Sequence, residues 1–303
     1  MNIFIIARGY PSKRNPVWGC FEKDQAEALR NLGHHVTILS VDSRFRFYWR
    51  KLGISKIAEN AITSYTIFLI PDVLLFFLPK TIRNRFYAWQ LELLYRHVIS
   101  QEGSPDILYS HYLRTTQRAV RIHEKYHIPL VGIEHWSEMG FNPISKKNLS
   151  IAQNTYPKLD QLITVSTALR NNILTQIGID SIVIPNIISN EFCYNGAPIG
   201  REKIKIATIG RLVPEKRFDK LLMALSKVSL PWELSIIGTG KISTDLESLA
   251  RSLNIIQNVK FLGSKSKHDI VEILQHSHFF VLPSKSETFG VVYIEALACG
   301  LPI

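Results

Sequence analysis

Cysteine is scarce in this chain. Three residues, Cys20, Cys193 and Cys299, lie far apart with no CxxC pair and no Cys/His ligand spacing. That spacing argues against a disulfide framework and a zinc finger, and it points to a reducing, cytoplasmic setting. Long apolar runs are lacking as well. The opening "MNIFIIARGY" has a short apolar run followed at once by Arg8 and Gly9, which is the pattern of a buried first strand and not of a signal peptide. The longest later run, "TIFLIPDVLLFFLP", is broken by Pro71 and Asp72 and falls short of the roughly 20 apolar residues that span a bilayer. No internal repeat of about 20–50 residues and no low-complexity tract is visible.

Negative charge is in short supply. Lys and Arg number 36 against 25 Asp and Glu, a net charge of +11, and the excess is uneven. Between Arg44 and Phe86 the cations Arg44, Arg46, Arg50, Lys51, Lys56, Lys80, Arg83 and Arg85 face only Glu59 and Asp72. Phe45, Phe47, Tyr48, Trp49, Phe76, Phe77, Phe86, Tyr87 and Trp89 are interleaved with them. Cations beside aromatic rings make the composition of a peripheral membrane contact, so the segment 44–89 is expected to dock on an anionic surface. The same composition also suits a nucleic-acid surface or a solvated face around an ordinary core.

What is present is a globular composition, 46% hydrophobic over 303 residues, long enough for two domains. Short β-branched apolar segments alternate with stretches of helical length: "NIFIIA", "HVTILS", "SYTIFLI", a long helical stretch over about 81–101, "DILYSH", "LVGIEH", "QLITVS" and "SIVIPN". The rhythm restarts with "KIKIATIG", "WELSIIG", "VKFLG" and "HFFVLPS", each followed by a helical stretch. This β-α alternation predicts parallel sheets covered by helices on both faces. The expected domains are 1–188 and 203–303, with the polar, turn-rich 189–202 as linker. Two doubly wound domains imply a ligand in the cleft between them, at the carboxyl ends of the strands.

Two stretches carry candidate chemistry. In "PSKSETFGVVYIEALACGLPI", Glu287 follows a strand, Thr288, Phe289 and Gly290 lead into a helix, and Glu295 lies little more than a turn into it. A helix N-terminus opened by glycine suits a phosphate, and the two glutamates suit hydroxyl groups; an exposed helix residue and an N-terminal cap are the structural alternative. In "GRLVPEKRFDK", Arg211 and Lys216 flank a turn after a strand. Such a pair suits a diphosphate, Arg as a fork and Lys as a point charge, with a surface charge run as the alternative.

Together with "SIIGTGK" and "VKFLG", these stretches resemble the retaining glycosyltransferases of family 4, whose fold is GT-B and whose E-x(7)-E motif matches Glu287 and Glu295. "YPSKRNPVWGCFEKDQAEALRNLGHHVTIL", "LVGIEH", "ITVSTALRNNI" and "VIPNIISNEF" are similar to the family pattern in the same order. The resemblance implies two Rossmann-like domains facing a cleft, the first for an acceptor and the second for a UDP-sugar or GDP-sugar donor. It implies that Glu287 contacts the donor sugar, Glu295 the ribose, and Arg211 and Lys216 the diphosphate, with no metal and no cofactor. Gly19 matches a backbone position close to the diphosphate, and His135 matches a catalytic histidine near the transferred sugar.

Retention is implied, with a glycan or lipid-linked acceptor in cell-surface polysaccharide biosynthesis, a cytoplasmic enzyme peripheral on the inner membrane face, and no nucleic-acid partner. Two positions depart from the pattern, Ile187 and Arg217, both standing where the family often has glycine. Family members continue beyond "GLPI", so the second domain is expected to be incomplete, and an inactive relic that only binds a membrane or a partner is the alternative reading.

Two decoys are set aside. "HEKYH", 123–127, has the zinc-peptidase spacing, but Ile128 and Pro129 end the helix at once. "GTGK", 238–241, has Ser243 in the place of a third glycine, so a dinucleotide fingerprint is incomplete.

Overall fold

The computed structural model describes residues 1–12, 18–45, 51–196, 200 and 202–303. It divides into two compact units, Met1–Asn186 and Ile187–Ile303. The first holds strands β1 (Asn2–Ala7), β2 (His35–Val41), β3 (Gly53–Glu59), β4 (Ile62–Phe68), β5 (Ile107–His111), β6 (Leu130–Glu134), β7 (Gln161–Thr164) and β8 (Ile182–Val183). Its helices are α1 (Cys20–Asn31), α2 (Lys80–Glu102), α3 (Leu113–Tyr126), α4 (Lys146–Thr155) and α5 (Thr167–Ile177). The sheet order is β3-β4-β2-β1-β5-β6-β7-β8, parallel throughout except for the antiparallel pair β3 and β4.

The sequence of β1 shows why this sheet is buried on both faces. Phe4 and Ile6 pack with Leu91, Leu94 and Tyr95 of α2 and Ala119 and Ile122 of α3, while Ile3, Ile5 and Ala7 pack with Ala26 of α1. Alternate residues of a strand point to opposite faces, so an unbroken apolar run requires a helical layer on each side. Burying each such Ile or Phe stabilises the unit by about 1.5–3 kcal/mol. After β1 the chain turns to β2 on one side and later returns to β5 on the other. That reversal opens a crevice at the carboxyl ends of β1 and β5.

The second unit repeats the plan with β9 (Ile204–Ile209), β10 (Trp232–Ile237), β11 (Val259–Gly263) and β12 (Phe279–Phe280) in the order β11-β10-β9-β12. Helices α6 (Phe218–Leu225), α7 (Ser243–Ser252), α8 (Lys267–Gln275) and α9 (Val291–Ala298) cover it. Phe218, Leu222, Leu234, Leu274, Phe280 and Ala296, all fully buried, belong to one core. The strand order reverses between β9 and β12, so the crevice of this unit lies beyond those two strands.

Three details differ from the sequence reading. Strand β3 and helix α4 have no counterpart in it. The units divide at 186/187, and the first part of the expected linker is packed: Phe192 is buried in the second core, and Gln275 Nε2 donates to the Cys193 carbonyl at 2.7 Å. The segment 44–89 is not one continuous surface, because β4 takes Tyr65 into the first core. Its Arg46, Phe47, Tyr48, Trp49 and Arg50 lie outside the described residues. Its described exposed apolar residues are Phe45, Leu52 and Ile57 as well as Val73, Leu74, Phe76, Phe77, Ile82 and Trp89.

Candidate functional site

In the second unit, the loop leaving β9 passes Gly210 and Arg211, makes a tight turn over Pro214–Lys216 and enters α6 through Arg217. The loop leaving β12 runs to α9. The Lys285 N–H donates to the Glu215 carbonyl at 2.8 Å, and this stitch between the two loops brings Lys216 onto Glu287. The Lys216 ammonium and the Glu287 carboxylate form an ion pair with side chains 18% and 24% exposed. Arg211 is exposed. Phe289 is half-buried, Gly290 precedes α9 with φ 77, and half-buried Glu295 lies within α9. The first N–H groups of α9 therefore open at the same end of the sheet as the Lys216–Glu287 pair, where they add a partial positive charge.

A third loop accounts for the "GTGK" glycines. Leu212 N–H donates to the Thr239 carbonyl at 3.0 Å, and a Cβ on Gly238 or Gly240 would lie 1.9 Å from the Gly210 oxygen or 2.2 Å from the Leu212 oxygen. These glycines let two loops touch backbone to backbone.

In the first unit, Gly19 precedes α1 with φ 81, and a Cβ there would lie 2.2 Å from the Gly9 carbonyl oxygen. The next turn carries Phe21, whose ring meets that of His135 edge-on at 5.9 Å. The loop of Gly19 and the loop of His135 thus share one end of the sheet. His135 stacks on Tyr112, with centroids 3.9 Å apart and planes 22° apart. On Tyr112 lies the Arg8 guanidinium, 3.6 Å from the ring centroid, and Arg8 pairs with buried Glu22 at 3.3 Å. Tyr112 itself holds φ 65 and ψ 141, a conformation that costs an aromatic residue on the order of 1–3 kcal/mol and is found where a site over-determines the backbone.

His135 is fixed from behind by Glu134. That buried carboxylate accepts hydrogen bonds from the backbone N–H groups of Leu113 (2.9 Å), His135 (2.9 Å) and Trp136 (2.7 Å) and from the Tyr156 hydroxyl (2.8 Å). Burial raises the Glu134 pKa, and the four donors oppose the rise. Burial, with neighbouring His111 and Arg8, lowers the pKa of His135 well below the ordinary histidine value, so its imidazole is neutral at pH 7. Its Nε2 is buried without a hydrogen-bond partner. A neutral ring nitrogen in that state suits a hydroxyl, to which it can donate or from which it can accept.

Sequence reasoning passed over Arg8, Tyr112, Glu134 and His111. A charged residue closing or following an apolar strand was the available signal for Arg8 and Glu134. The "HEKYH" histidines part company: His123 Nδ1 bonds to the Ile128 carbonyl at 2.8 Å, and His127 lies past the end of α3 at φ 54. His268, Asp269 and Glu272 bring possible ligand atoms within 4.8 Å of one another at the start of α8, where Asp269 closes a capping box with Ser266.

The two Rossmann-like units carry the fold of the GT-B glycosyltransferases. Superposition on the sucrose-phosphate synthase of Thermosynechococcus elongatus gives a TM-score of 0.76 over 99% of this chain and 79% of that one, at 16% identity. For the Anabaena HepE protein in complex with UDP-glucose the TM-score is 0.70 over 99% and 79%, at 18% identity.

Residues 23–192 match the model described as Glycosyltransferase Family 4 and residues 195–303 that of Glycosyl transferases group 1. The chain belongs to glycosyltransferase family 4. An uncharacterized glycosyltransferase of Methanocaldococcus jannaschii is 27% identical over 81% of this chain and 66% of its own length. The D-inositol 3-phosphate glycosyltransferase of Rhodococcus erythropolis is 27% identical over 67% and 52%. A subunit of the phosphatidylinositol N-acetylglucosaminyltransferase of Saccharomyces cerevisiae is 25% identical over 92% and 62%. The chain therefore spans between half and two-thirds of the length of these curated relatives.

Proposed function

We propose that this protein transfers a sugar from a nucleotide-diphosphate-sugar to a hydroxyl of a glycan or lipid-linked acceptor, with retention of configuration. The observation that carries the reading is the meeting of Lys216 and Glu287 at the switch point of the second sheet, under the N-terminus of α9. A diphosphate seated there takes the Lys216 ammonium and the exposed Arg211 guanidinium, and Glu287 is released to accept hydrogen bonds from the donor sugar. Glu295 serves the ribose, and the α9 backbone beyond Phe289 and Gly290 serves the phosphates.

In the reaction the acceptor oxygen bonds to the anomeric carbon as the bond from that carbon to the diphosphate oxygen breaks. The departing phosphate takes the acceptor proton, and Arg211 and Lys216 stabilise the negative charge that develops on it. The cations of the chain fill the place a divalent metal holds in other transferases, so no metal is required. We assign to Gly19 and His135 the roles that the family pattern gives them, His135 as a neutral ring that can meet a sugar hydroxyl without adding charge. Peripheral membrane contact is assigned to the exposed apolar turn 73–77, with Lys80 and Arg83 following it in sequence. No helix among the described residues is long and apolar enough to cross a membrane.

The test is donor breakdown. Incubated with UDP-sugars and GDP-sugars, the chain should release one of the two nucleoside diphosphates, faster when lipid-linked glycan is added, and Glu287→Gln should lower the release by about a hundredfold. Release of neither, with the chain folded, overturns the reading in favour of a non-catalytic binding module.

A further inference from the structure

The crevice at the carboxyl ends of β1 and β5 holds a cavity of about 300 Å³, at the low end of the size of ligand pockets. Arg8, Arg44, Arg114 and Arg118 line it, and Asp42 is the one carboxylate among the lining residues. Two of the guanidiniums have acid partners within the unit. Arg8 pairs with Glu22, and Arg44 makes a two-pronged contact with Asp42 at 2.9 and 3.0 Å. The other two are one helical turn apart on α3 and rest on neutral groups. Arg114 donates to Asn148 Oδ1 at 2.7 Å, and Arg118 lies over the Tyr87 ring, 4.6 Å from its centroid.

The surrounding acids are already engaged. Asp72 accepts from Arg83 at 3.2 Å and from the Tyr87 hydroxyl, and Glu138 accepts from Asn148 Nδ2 at 2.9 Å. Burial draws the pKa values of Arg114 and Arg118 below the ordinary arginine value. Crowding reaches further out: Lys147 is lowered first by Arg114, then by its own burial and by Lys80, with Arg83 adding to the repulsion. Among the described residues neither guanidinium is ion-paired with a carboxylate, although Glu138 attracts Arg114 and Asp72 attracts Arg118 from further off. Partly desolvated guanidiniums so placed are costly unless an anion completes them, and two forks on one helical face match the oxygens of a phosphate.

We infer that the cavity between β1 and β5 binds a phosphate group carried by the acceptor, held by Arg114 and Arg118. The inference rests on the glycosyltransferase reading for the word acceptor, and on the cavity alone for the phosphate. It implies that the substrate glycosylated here is a phosphate ester and not a neutral sugar.

Labelling of the full chain with phenylglyoxal, followed by peptide mass analysis, tests this without any variant. Inorganic pyrophosphate should protect Arg114 and Arg118 from modification, and it should do so equally in a Lys216→Gln chain, whose donor site is weakened. Removing two charge-assisted contacts in Arg114→Gln/Arg118→Gln should weaken pyrophosphate binding about tenfold or more, while the charge-conserving Arg114→Lys/Arg118→Lys should lose less. Competition by glycerol 3-phosphate identifies a soluble phosphate ester as the source. Competition only by vesicles containing phosphatidic acid, and not by phosphatidylcholine vesicles, identifies a lipid headgroup, and either result upholds the site. Unprotected Arg114 and Arg118 in the wild-type chain would overturn it. If protection is seen while no nucleoside diphosphate binds, the anion site stands and the donor reading fails.

Discussion

The Lys216 ammonium sits on the Glu287 carboxylate, at the point where the second sheet reverses its strand order. Each group occupies the other in this structure. A diphosphate offers Lys216 more negative charge than one carboxylate does, so binding should break the pair and free Glu287. Lys216→Ala should therefore lower nucleoside diphosphate affinity by about tenfold or more. Glu287→Gln removes a competitor for Lys216 and should leave that affinity unchanged or higher, while lowering sugar transfer by about a hundredfold. Calorimetric titration and a transfer assay on the same two variants separate the effects.

Arg217 enters α6 at φ 54 and ψ 36, a left-handed conformation that favours glycine. Arg217→Gly should raise the stability of the second unit by about 0.5–1 kcal/mol, the relief of backbone strain being partly offset by the freer unfolded chain. Urea unfolding at constant pH measures it, and an unchanged or lower midpoint counts against the strain.

Much of this was legible in the sequence and some was not. Strands such as β1, β2, β9 and β10 announce themselves because their apolar runs are buried on both faces. Strand β3 does not: "GISKIAE" is largely exposed and pairs only with β4, so no burial pattern marks it. Helix α4, "KKNLSIAQNT", is rich in residues of middling helix propensity and starts because Ser145 Oγ accepts the Asn148 N–H at 3.3 Å. At the site, Glu287 and Glu295 stood out through a motif. Glu134 and Tyr112 also depend on partners 21 or more residues away, and no local pattern encodes those pairings.

Gly19 is a packing requirement before it is anything else. Its left-handed φ and the 2.2 Å approach of a Cβ to the Gly9 oxygen leave no room for alanine. Gly19→Ala should lower the unfolding midpoint of the first unit, costing about 2 kcal/mol or more, and should displace the start of α1. A cooperative melt indistinguishable from wild type contradicts this.

His111 is buried beside the Tyr109, Tyr112 and His135 rings, and burial lowers its pKa to about 4, with Glu22 opposing the fall and Arg8 adding to it; His135 shifts in the same direction. The unfolded chain holds these protons near the ordinary histidine value of about 6.5. Below that pH the unfolded state binds more protons than the folded one, so stability is full above about 6.5 and is lost as pH falls toward 4. The His111 part of that loss is on the order of 3 kcal/mol. His111→Phe should flatten the pH dependence of the urea midpoint between pH 6.5 and 4 while changing the midpoint at pH 7 little. An undiminished slope in the variant would show that other groups govern the acid response.

Phe76 and Phe77 are 76% and 69% exposed, and Lys80 follows them in the sequence. Each ring transferred from water into a bilayer interface contributes up to about 1.5–3 kcal/mol. Phe76→Ser/Phe77→Ser should reduce sedimentation with anionic vesicles at least about tenfold and leave thermal stability unaltered. Equal sedimentation of variant and wild type removes these rings from the membrane contact.

Calorimetric titration of the chain with UDP and with GDP, wild type beside Lys216→Ala, tests the proposed donor site without relying on turnover. One nucleoside diphosphate should bind per chain, with an affinity about tenfold or more lower in the variant. No binding of either nucleotide, or equal binding by both chains, would contradict that donor site.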